Sequence, residues 1–428
     1  MILLLLLSCR QTYDLDADAL RDPESCKDCH QTHYEQWQGS MHAYAGEDPV
    51  FLAMNARGQR ETGGELGDFC VKCHAPVALA LGLTEDGTNL DEVSDHLKGV
   101  TCVWCHLVDE VVEDHNAGLV LSDDGVMRGG ITDPRETAAH ASAWSPLHDR
   151  DSPDSSALCG SCHDVVLPDG FHLERTYAQW QGSLFDVDDA TRQSCGHCHT
   201  RATTGTAAID GPSRRIHDHA MVGVDVALTD FPGIPEQEAA IQEELDYTLL
   251  ATLCVLPIVA GSEVVLTLEN VGGHRWPSGA AHDRRAWAEV TAWSGDEVLL
   301  ETGQIADGVA LADVEDARRW EMFDRAFDAD GQPEHMFWDI AATEERTLPV
   351  VTEDNWIDHS VTVRWPLPGE TPDRVTAAVH IRPIGLDLLT DLSDSGDLDL
   401  ATLTRLPPTF TLSETVLEWT GVVGSCVP

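Results

Sequence analysis

The chain has 428 residues, of which 42% are hydrophobic and 6% aromatic, and its formal net charge at pH 7 is -48. This length allows two or three domains with ordinary hydrophobic cores. The negative charge argues against nucleic acids and anionic lipid headgroups as partners. It favours a hydrated surface or cationic partners.

The N-terminus reads Met1-Ile-Leu-Leu-Leu-Leu-Leu-Ser8-Cys9. This pattern resembles the end of a bacterial lipoprotein signal, in which Cys9 would be lipidated and become the mature N-terminus. The run is short and has no basic n-region, so either the true start lies upstream or the likeness is accidental. No later segment is long and apolar enough to span a bilayer. We favour a lipoprotein signal over residues 1–9.

Five copies of Cys-x-x-Cys-His follow, and they use ten of the 13 cysteines. In this signature two thiols can add to the vinyl groups of one haem while the imidazole binds the iron. A zinc ribbon has no need of His after each second Cys, and redox dithiols occur singly in a βαβ setting. We therefore predict five covalently attached haem c groups. The predicted attachment and proximal-ligand residues are Cys26, Cys29, His30; Cys70, Cys73, His74; Cys102, Cys105, His106; Cys159, Cys162, His163; and Cys195, Cys198, His199.

Covalent haem attachment requires export, which agrees with a signal at the N-terminus. We predict an exported protein of the periplasm, outer membrane or cell surface. Its contact with the membrane would be a lipid anchor at Cys9 alone.

Residues 10–227 contain all five motifs and few alternating strand patterns. We predict short helices after the motifs, joined by loops, with haems close enough to share walls. The segment Tyr34-Glu-Gln-Trp37-Gln-Gly-Ser40 recurs as Tyr177-Ala-Gln-Trp180-Gln-Gly-Ser183. Two residues after the Ser, the first copy has His42 and the second has Phe185.

From residue 228 the sequence pattern changes to short runs rich in β-branched residues, separated by Gly, Pro or Asp. We predict a sandwich-like all-β domain over 228–428, with strands near 264–271, 287–293, 297–302, 360–365 and 375–381. A helical or loop insertion is expected around 313–327. Cys254 and Cys426 bracket this region, and they form either a disulfide or two separate buried thiols. The fold class is therefore mixed, a mainly helical and loop multihaem cytochrome c domain followed by an all-β domain.

Three patterns resemble multihaem c-type cytochromes related to the tetrahaem electron carrier of ammonia oxidisers. They are Cys26-x-x-Cys-His-x-x-x-Tyr-x-x-Trp-x-x-Ser-x-His42, the run from Gly130 through His140 to the Thr176-Tyr-x-x-Trp-x-x-Ser segment, and Arg215-Ile-His-Asp-His219-Ala-Met-Val-Gly223. The resemblance implies that His42, His140 and His219 are distal haem ligands. The turn from Asn270 to Gly279 also resembles the β-domain appended to some exported multihaem cytochromes.

Other side chains compete for the remaining distal positions. His96, His115, His148, His172 and His217 are weaker choices. His274 is either a ligand reaching from the β-domain or a turn residue fixed by neighbouring Gly and Pro, and we favour the turn residue. We expect neither His197, which lies inside a haem motif, nor the thioethers of Met41 and Met54 to be iron ligands.

Two functions remain open from the sequence. The first is a relay of electrons between a quinol-side donor and a periplasmic or outer-membrane acceptor. The alternative is an oxidoreductase acting on a small nitrogen or sulfur compound at one five-coordinate haem, where Phe185 could leave a face empty. A structural subunit of a larger cytochrome assembly is a third interpretation.

Overall fold

The computed structural model describes residues 21–135, 137, 139–187 and 192–428. The predicted lipoprotein signal, with Cys9, lies outside the described residues. Among the described residues, no helix has the length and apolar character needed to cross a membrane.

Most helices before residue 200 are short and lie on or beside the cysteine motifs. They are α1 Glu24–Lys27, α2 Gln31–Gln38, α3 Met41–Tyr44, α4 Pro49–Glu61, α5 Val71–His74, α6 Pro76–Ala80, α7 Cys102–His106, α8 Ser156–Gly160, α9 Thr176–Gln181, α10 Leu184–Val187 and α11 Cys195–His199; later in the chain come α12 Ile234–Leu245 and α13 Leu386–Asp394. The long helix α4 begins at a proline, and the Asp48 carboxylate accepts from the Val50 amide, as expected of a capped helix start.

The same region also contains small two-stranded sheets, which the sequence did not predict. Their strands are β1 Val108–Val111 with β2 Leu119–Leu121, β3 Val126–Gly129 with β4 Ala141–Trp144, β5 Val165–Val166 with β6 His172–Glu174, and β7 Ala202–Thr206 with β8 Ser213–His217. The pair β3 and β4 is parallel and the other three are antiparallel. These strands are too short to show a clear alternation of apolar and polar residues, so periodicity could not reveal them.

The C-terminal half is a multi-strand β region, as predicted. Its strands are β9 Leu249–Ile258, β10 Gly261–Asn270, β11 Arg285–Ser294, β12 Glu297–Thr302, β13 Trp320–Glu321, β14 Arg325–Phe327, β15 Ala342–Glu344, β16 Val361–Pro368, β17 Arg374–Arg382, β18 Phe410–Thr411, β19 Leu417–Trp419 and β20 Ser425–Val427. One antiparallel sheet has the order β16-β10-β9-β20, and the other has β12-β11-β17-β18 with β13 on β11 and β19 on β17. The five predicted strands correspond to β10, β11, β12, β16 and β17, whereas β9 was missed. The predicted insertion around 313–327 holds β13 and β14 besides a 3-10 turn at Leu311–Asp313.

The buried faces of the two sheets meet in one hydrophobic core. Alternate residues of β10 and β17 point into it, as expected of strands with one buried face. Val50 and Ala53 of α4 belong to the same core, and so do Val226 and Leu228. The domain boundary between 227 and 228 stays a prediction, since core residues lie on both sides of it.

Cys254 and Cys426 form a disulfide. They face each other across the pair of β9 and β20, which ties the C-terminal strand to the first strand of the β region. This agrees with the first of the two alternatives left open by the sequence.

Candidate haem-binding sites

Each cysteine motif forms one helical turn. The His30 amide donates to the Cys26 carbonyl at 2.8 Å, and His163 donates to Cys159 at 3.0 Å in the same way. Residues three and four apart share a helix face, so both thiols and the imidazole of a motif lie on one side. All ten motif cysteines are free thiols. This arrangement suits a haem attached at one edge and ligated from below.

Backbone carbonyls orient three motif imidazoles. The Nδ1 atoms of His30, His106 and His199 donate to the carbonyls of Ala207, Arg128 and Val222 at 2.6, 2.5 and 2.6 Å. A hydrogen bond at Nδ1 holds the ring and leaves the Nε2 lone pair available for a metal. Ala207 follows β7 and Arg128 lies in β3, so the small sheets supply these acceptors.

Four motif histidines face a second imidazole across a gap. The ring centroids are 6.1 Å apart for His30 and His140, 6.1 Å for His163 and His42, 6.2 Å for His106 and His219, and 6.2 Å for His199 and His274. Metal–imidazole bonds are about 2 Å long, so two such bonds plus two ring radii give roughly 6 Å between centroids. The pairs therefore leave room for one iron atom between their rings.

His148 also lies near His106, with 5.8 Å between ring centroids. Its Nε2 donates to the Cys105 carbonyl at 2.8 Å. His219 instead contacts the His217 carbonyl through Nδ1, which keeps Nε2 free. The hydrogen bonding thus favours His219 over His148 as the partner of His106.

His274 was interpreted from sequence as a turn residue, but the structure places it opposite His199. Its turn is held against α9, the helix of the second repeat. The Gln179 side chain accepts from the Arg275 amide at 3.1 Å and from the Ser278 hydroxyl at 3.0 Å. Gly273 of this turn packs against Trp180 and Phe185, since a Cβ there would lie 3.4 Å and 3.5 Å from their rings. Phe185 therefore borders the site of a histidine contributed from the β region.

In both repeat copies the tryptophan indole donates to a backbone carbonyl. The Trp37 indole donates to the Val100 carbonyl at 2.8 Å, and the Trp180 indole donates to Gln193 at 2.9 Å. The Ser40 hydroxyl accepts from the Ala43 amide and begins α3, which carries His42. In this way the first repeat positions a histidine of its own.

His74 differs from the other four motif histidines. Its ring packs face to face on Phe51 of α4, with 4.2 Å between centroids and an angle of 2°. In the described part of the chain, which includes all the histidines, no imidazole forms a comparable pair with it.

Burial favours the neutral form of several of these imidazoles. It lowers the pKa of His42, His74 and His274 to about 4 and that of His219 to about 3. Iron binds the neutral imidazole, so these rings are in the form that a ligand requires near pH 7.

Thiols of different motifs meet in pairs. Hydrogen bonding with Cys102 lowers the pKa of Cys26 to about 7, and hydrogen bonding with Cys159 lowers the pKa of Cys195 to about 6. Cys73 and Cys162 interact in the same way. The first motif therefore lies beside the third, and the fourth lies beside the second and the fifth. A tetrahedral zinc site needs four converging ligands, and no group of three or more His, Cys, Asp or Glu that could hold a metal ion occurs in the described ranges.

Comparisons with known proteins agree with the motifs. Residues 25–107, about a fifth of the chain, match the family model of cytochrome c554 and c-prime. A penta-heme cytochrome c552 from Thermochromatium tepidum has a similar fold, with a TM-score of 0.63 and 19% sequence identity over 92% of this chain and 97% of that chain. These matches support a multihaem c-type cytochrome. No curated protein matches this chain. The family model matched by residues 25–107 supports covalently bound haem c, electron transfer and redox partners in general.

The motif side chains fit haem c in kind and in arrangement. Each motif offers two thiols and an imidazole on one helix face, and the ring pairs leave space for iron. Sequence analysis identified His42, His140 and His219 through the resemblance. It preferred a turn residue to a ligand from the β-domain for His274, whose ring faces that of His199. It had no signal for the carbonyl acceptors.

Proposed function

We propose that the chain is an exported relay with five haem c groups, one at each Cys-x-x-Cys-His motif. It would pass electrons from a quinol-side donor to a periplasmic or outer-membrane acceptor. The observation that carries this proposal is the set of four motif histidines that each face a second imidazole at about 6 Å. Two imidazoles per iron saturate the metal and favour electron transfer over ligand binding.

In this proposal the motif cysteines form thioethers and the motif histidines are proximal ligands. The distal ligands are His140 for the first motif, His219 for the third, His42 for the fourth and His274 for the fifth. Bound haem iron supplies the Fe(III)/Fe(II) couple. The chain orients each imidazole through a carbonyl or a turn and excludes water by burial, which limits reorganisation when the charge changes.

The contacts between thiols support rapid exchange between the sites. Cys26 meets Cys102, Cys73 meets Cys162, and Cys159 meets Cys195. Thioether edges attached at these positions would be neighbours, so electrons need cross only short distances. Cys105 of the third motif also interacts electrostatically with Cys162 of the fourth, which joins these pairs into one row. The first and fifth motifs would end the row, and the second would branch from the fourth.

The net charge of -48 favours a basic redox partner, because opposite charges steer encounter. A lipid anchor at Cys9 would keep the relay at a membrane surface, and the chain could also belong to a larger cytochrome assembly. These aspects rest on sequence alone.

A second candidate function concerns the second motif. His74 faces Phe51 rather than another imidazole in the described part of the chain. A haem there would have five ligands and could bind a small nitrogen or sulfur compound. We therefore propose the open haem face at His74, whereas the sequence had suggested one near Phe185.

Low-temperature EPR and haem quantification of the purified oxidised protein test both functions. We expect five haems per chain, four low-spin and one high-spin, with full reduction taking up five electrons. Fewer than five haems would contradict the relay as proposed. Added cyanide or nitrite should change the high-spin signal alone; if no signal changes, the second function is wrong while the relay stands.

A further inference from the structure

Arg150 is a buried arginine without a counter-ion in the described part of the chain. Arg150 is only 9% exposed, and its Nη2 donates to the His197 carbonyl at 2.6 Å. The Nε and Nη1 atoms are buried and have no hydrogen-bond partner. Burying an unpaired cation and two free donors is strongly unfavourable, so these atoms need a partner that the polypeptide does not supply.

The surroundings of Arg150 hold it rigidly beside the fifth motif. Its carbonyl accepts from the Ser194 hydroxyl at 2.6 Å, and its side-chain stem lies 3.3 Å from where a Cβ at Gly196 would be. Nearby acids are engaged elsewhere. Asp151 pairs with Arg215 at 2.6 Å, and the Asp218 carboxylate accepts from the amides of Arg201 and Ala220.

A second unpartnered group lies close to the guanidinium. The Nε2 atom of His217 is buried without a hydrogen bond, and Arg150 is one of the charges that act on this ring. Burial together with the charge of Arg215 lowers the pKa of Arg150, which agrees with a cation lacking compensation. Arg150 and His217 thus form a preformed donor set suited to a carboxylate or another oxyanion.

Haem is the natural source of such a carboxylate, because each macrocycle carries two propionates. We propose that Arg150, with His217, binds a haem propionate, that of the haem between His106 and His219. Arg150 contacts the fifth motif between its two cysteines, where the haem of that motif would present the edge opposite its propionates. The third-motif haem is the neighbour, because His219 follows His217 by two residues, and His148, two residues before Arg150, packs beside His106. The proposal rests on the proposed function, since it needs a haem at the third motif. Arg150 would be a positioning residue that also tunes the potential of that haem.

The test compares Arg150→Met with Arg285→Met in the holoprotein. Arg285 is a matched control because it is also buried, yet its Nε and Nη2 donate to Asp387 and its Nη1 donates to the His282 carbonyl. Without Arg150 the propionate charge is no longer neutralised, and this favours Fe(III). We expect Arg150→Met to lower the reduction equilibrium constant of one haem about tenfold, which lowers its midpoint potential by about 59 mV. The Arg285→Met variant should lose thermal stability and keep all potentials.

Arg150→Lys provides a second variant that retains the charge, and we expect a smaller fall in the same haem potential. The propionate bending band in resonance Raman spectra should shift in both Arg150 variants. Unchanged potentials and bands in both would overturn the proposal. If phosphate added to the unmutated protein shifts that potential, a free anion occupies the donor set and the propionate is wrong. Haem quantification distinguishes failure of this inference from failure of the proposed function. Five haems with no effect of the Arg150 substitutions would refute this inference and leave the relay intact.

Discussion

At the scale of single residues, the orientation of imidazole rings is the main determinant of the sites. His199 and His274 both donate from Nδ1 to backbone carbonyls, those of Val222 and Arg275, and so keep Nε2 directed at the gap between them. Neither carbonyl could have been identified from sequence, because any residue type has one. The role of each histidine therefore depends on what its second nitrogen contacts.

His274→Ala tests this pairing. In the proposed relay His274 would ligate the fifth-motif haem, so its removal should convert that haem from low-spin to high-spin and raise its potential. EPR and optical spectra count the change. His96→Ala is the control, since His96 is exposed and lies in a 3-10 turn away from these pairs. An unchanged spin count in His274→Ala would show that another group ligates the iron.

At the scale of elements, small sheets and one ion-pair network hold the parts in register. The loop between β7 and β8 contains Ala207, whose carbonyl accepts a hydrogen bond from His30. The segment that follows β8 carries His219. Helix α4 contacts the β region through Arg57, which donates to Asp391 of α13 at 3.1 Å. Two carboxylates of α13, Asp387 and Asp391, also contact His335 at 3.4 and 3.2 Å.

His335 makes the stability of this network depend on pH. Hydrogen bonding to Asp387 raises the pKa of His335, against burial and the nearby Arg285. A raised pKa means that its contribution is fully present below the unfolded value near 6.5 and is lost as pH rises through the folded pKa. We expect His335→Gln to lower the melting temperature by roughly 2 °C at pH 5.5 and by much less at pH 9. Calorimetry at both values measures this, and an equal loss at the two pH values would contradict the linkage.

At the scale of the whole molecule, the β region completes the sites as well as building a core. It contributes His274 opposite a motif histidine, and its core includes residues of α4. Phe51, on the same helix, packs against His74. Damage to the β region should therefore reach the candidate haem sites at His74 and His199.

The disulfide between Cys254 and Cys426 closes a span of 172 residues around this region. Constraining so long a segment of the unfolded chain should contribute about 2–4 kcal/mol to the free energy of unfolding. We expect the double variant Cys254→Ala/Cys426→Ala to lose about that much in guanidinium denaturation while its five-motif haem content is retained. Reductant should destabilise the unmutated protein and leave the double variant unaffected; equal stability of the two proteins without reductant would contradict the prediction.

The sequence by itself determined the features that depend on near neighbours. The Cys-x-x-Cys-His turn is local chemistry, and alternation within β10, β16 and β17 follows from one buried face. Tertiary structure alone decided that His274 faces His199, that His219 rather than His148 suits His106, and that Phe51 packs on His74. These pairings join residues far apart in the chain, and the spacing of residues along a sequence does not encode which distant side chains meet in space.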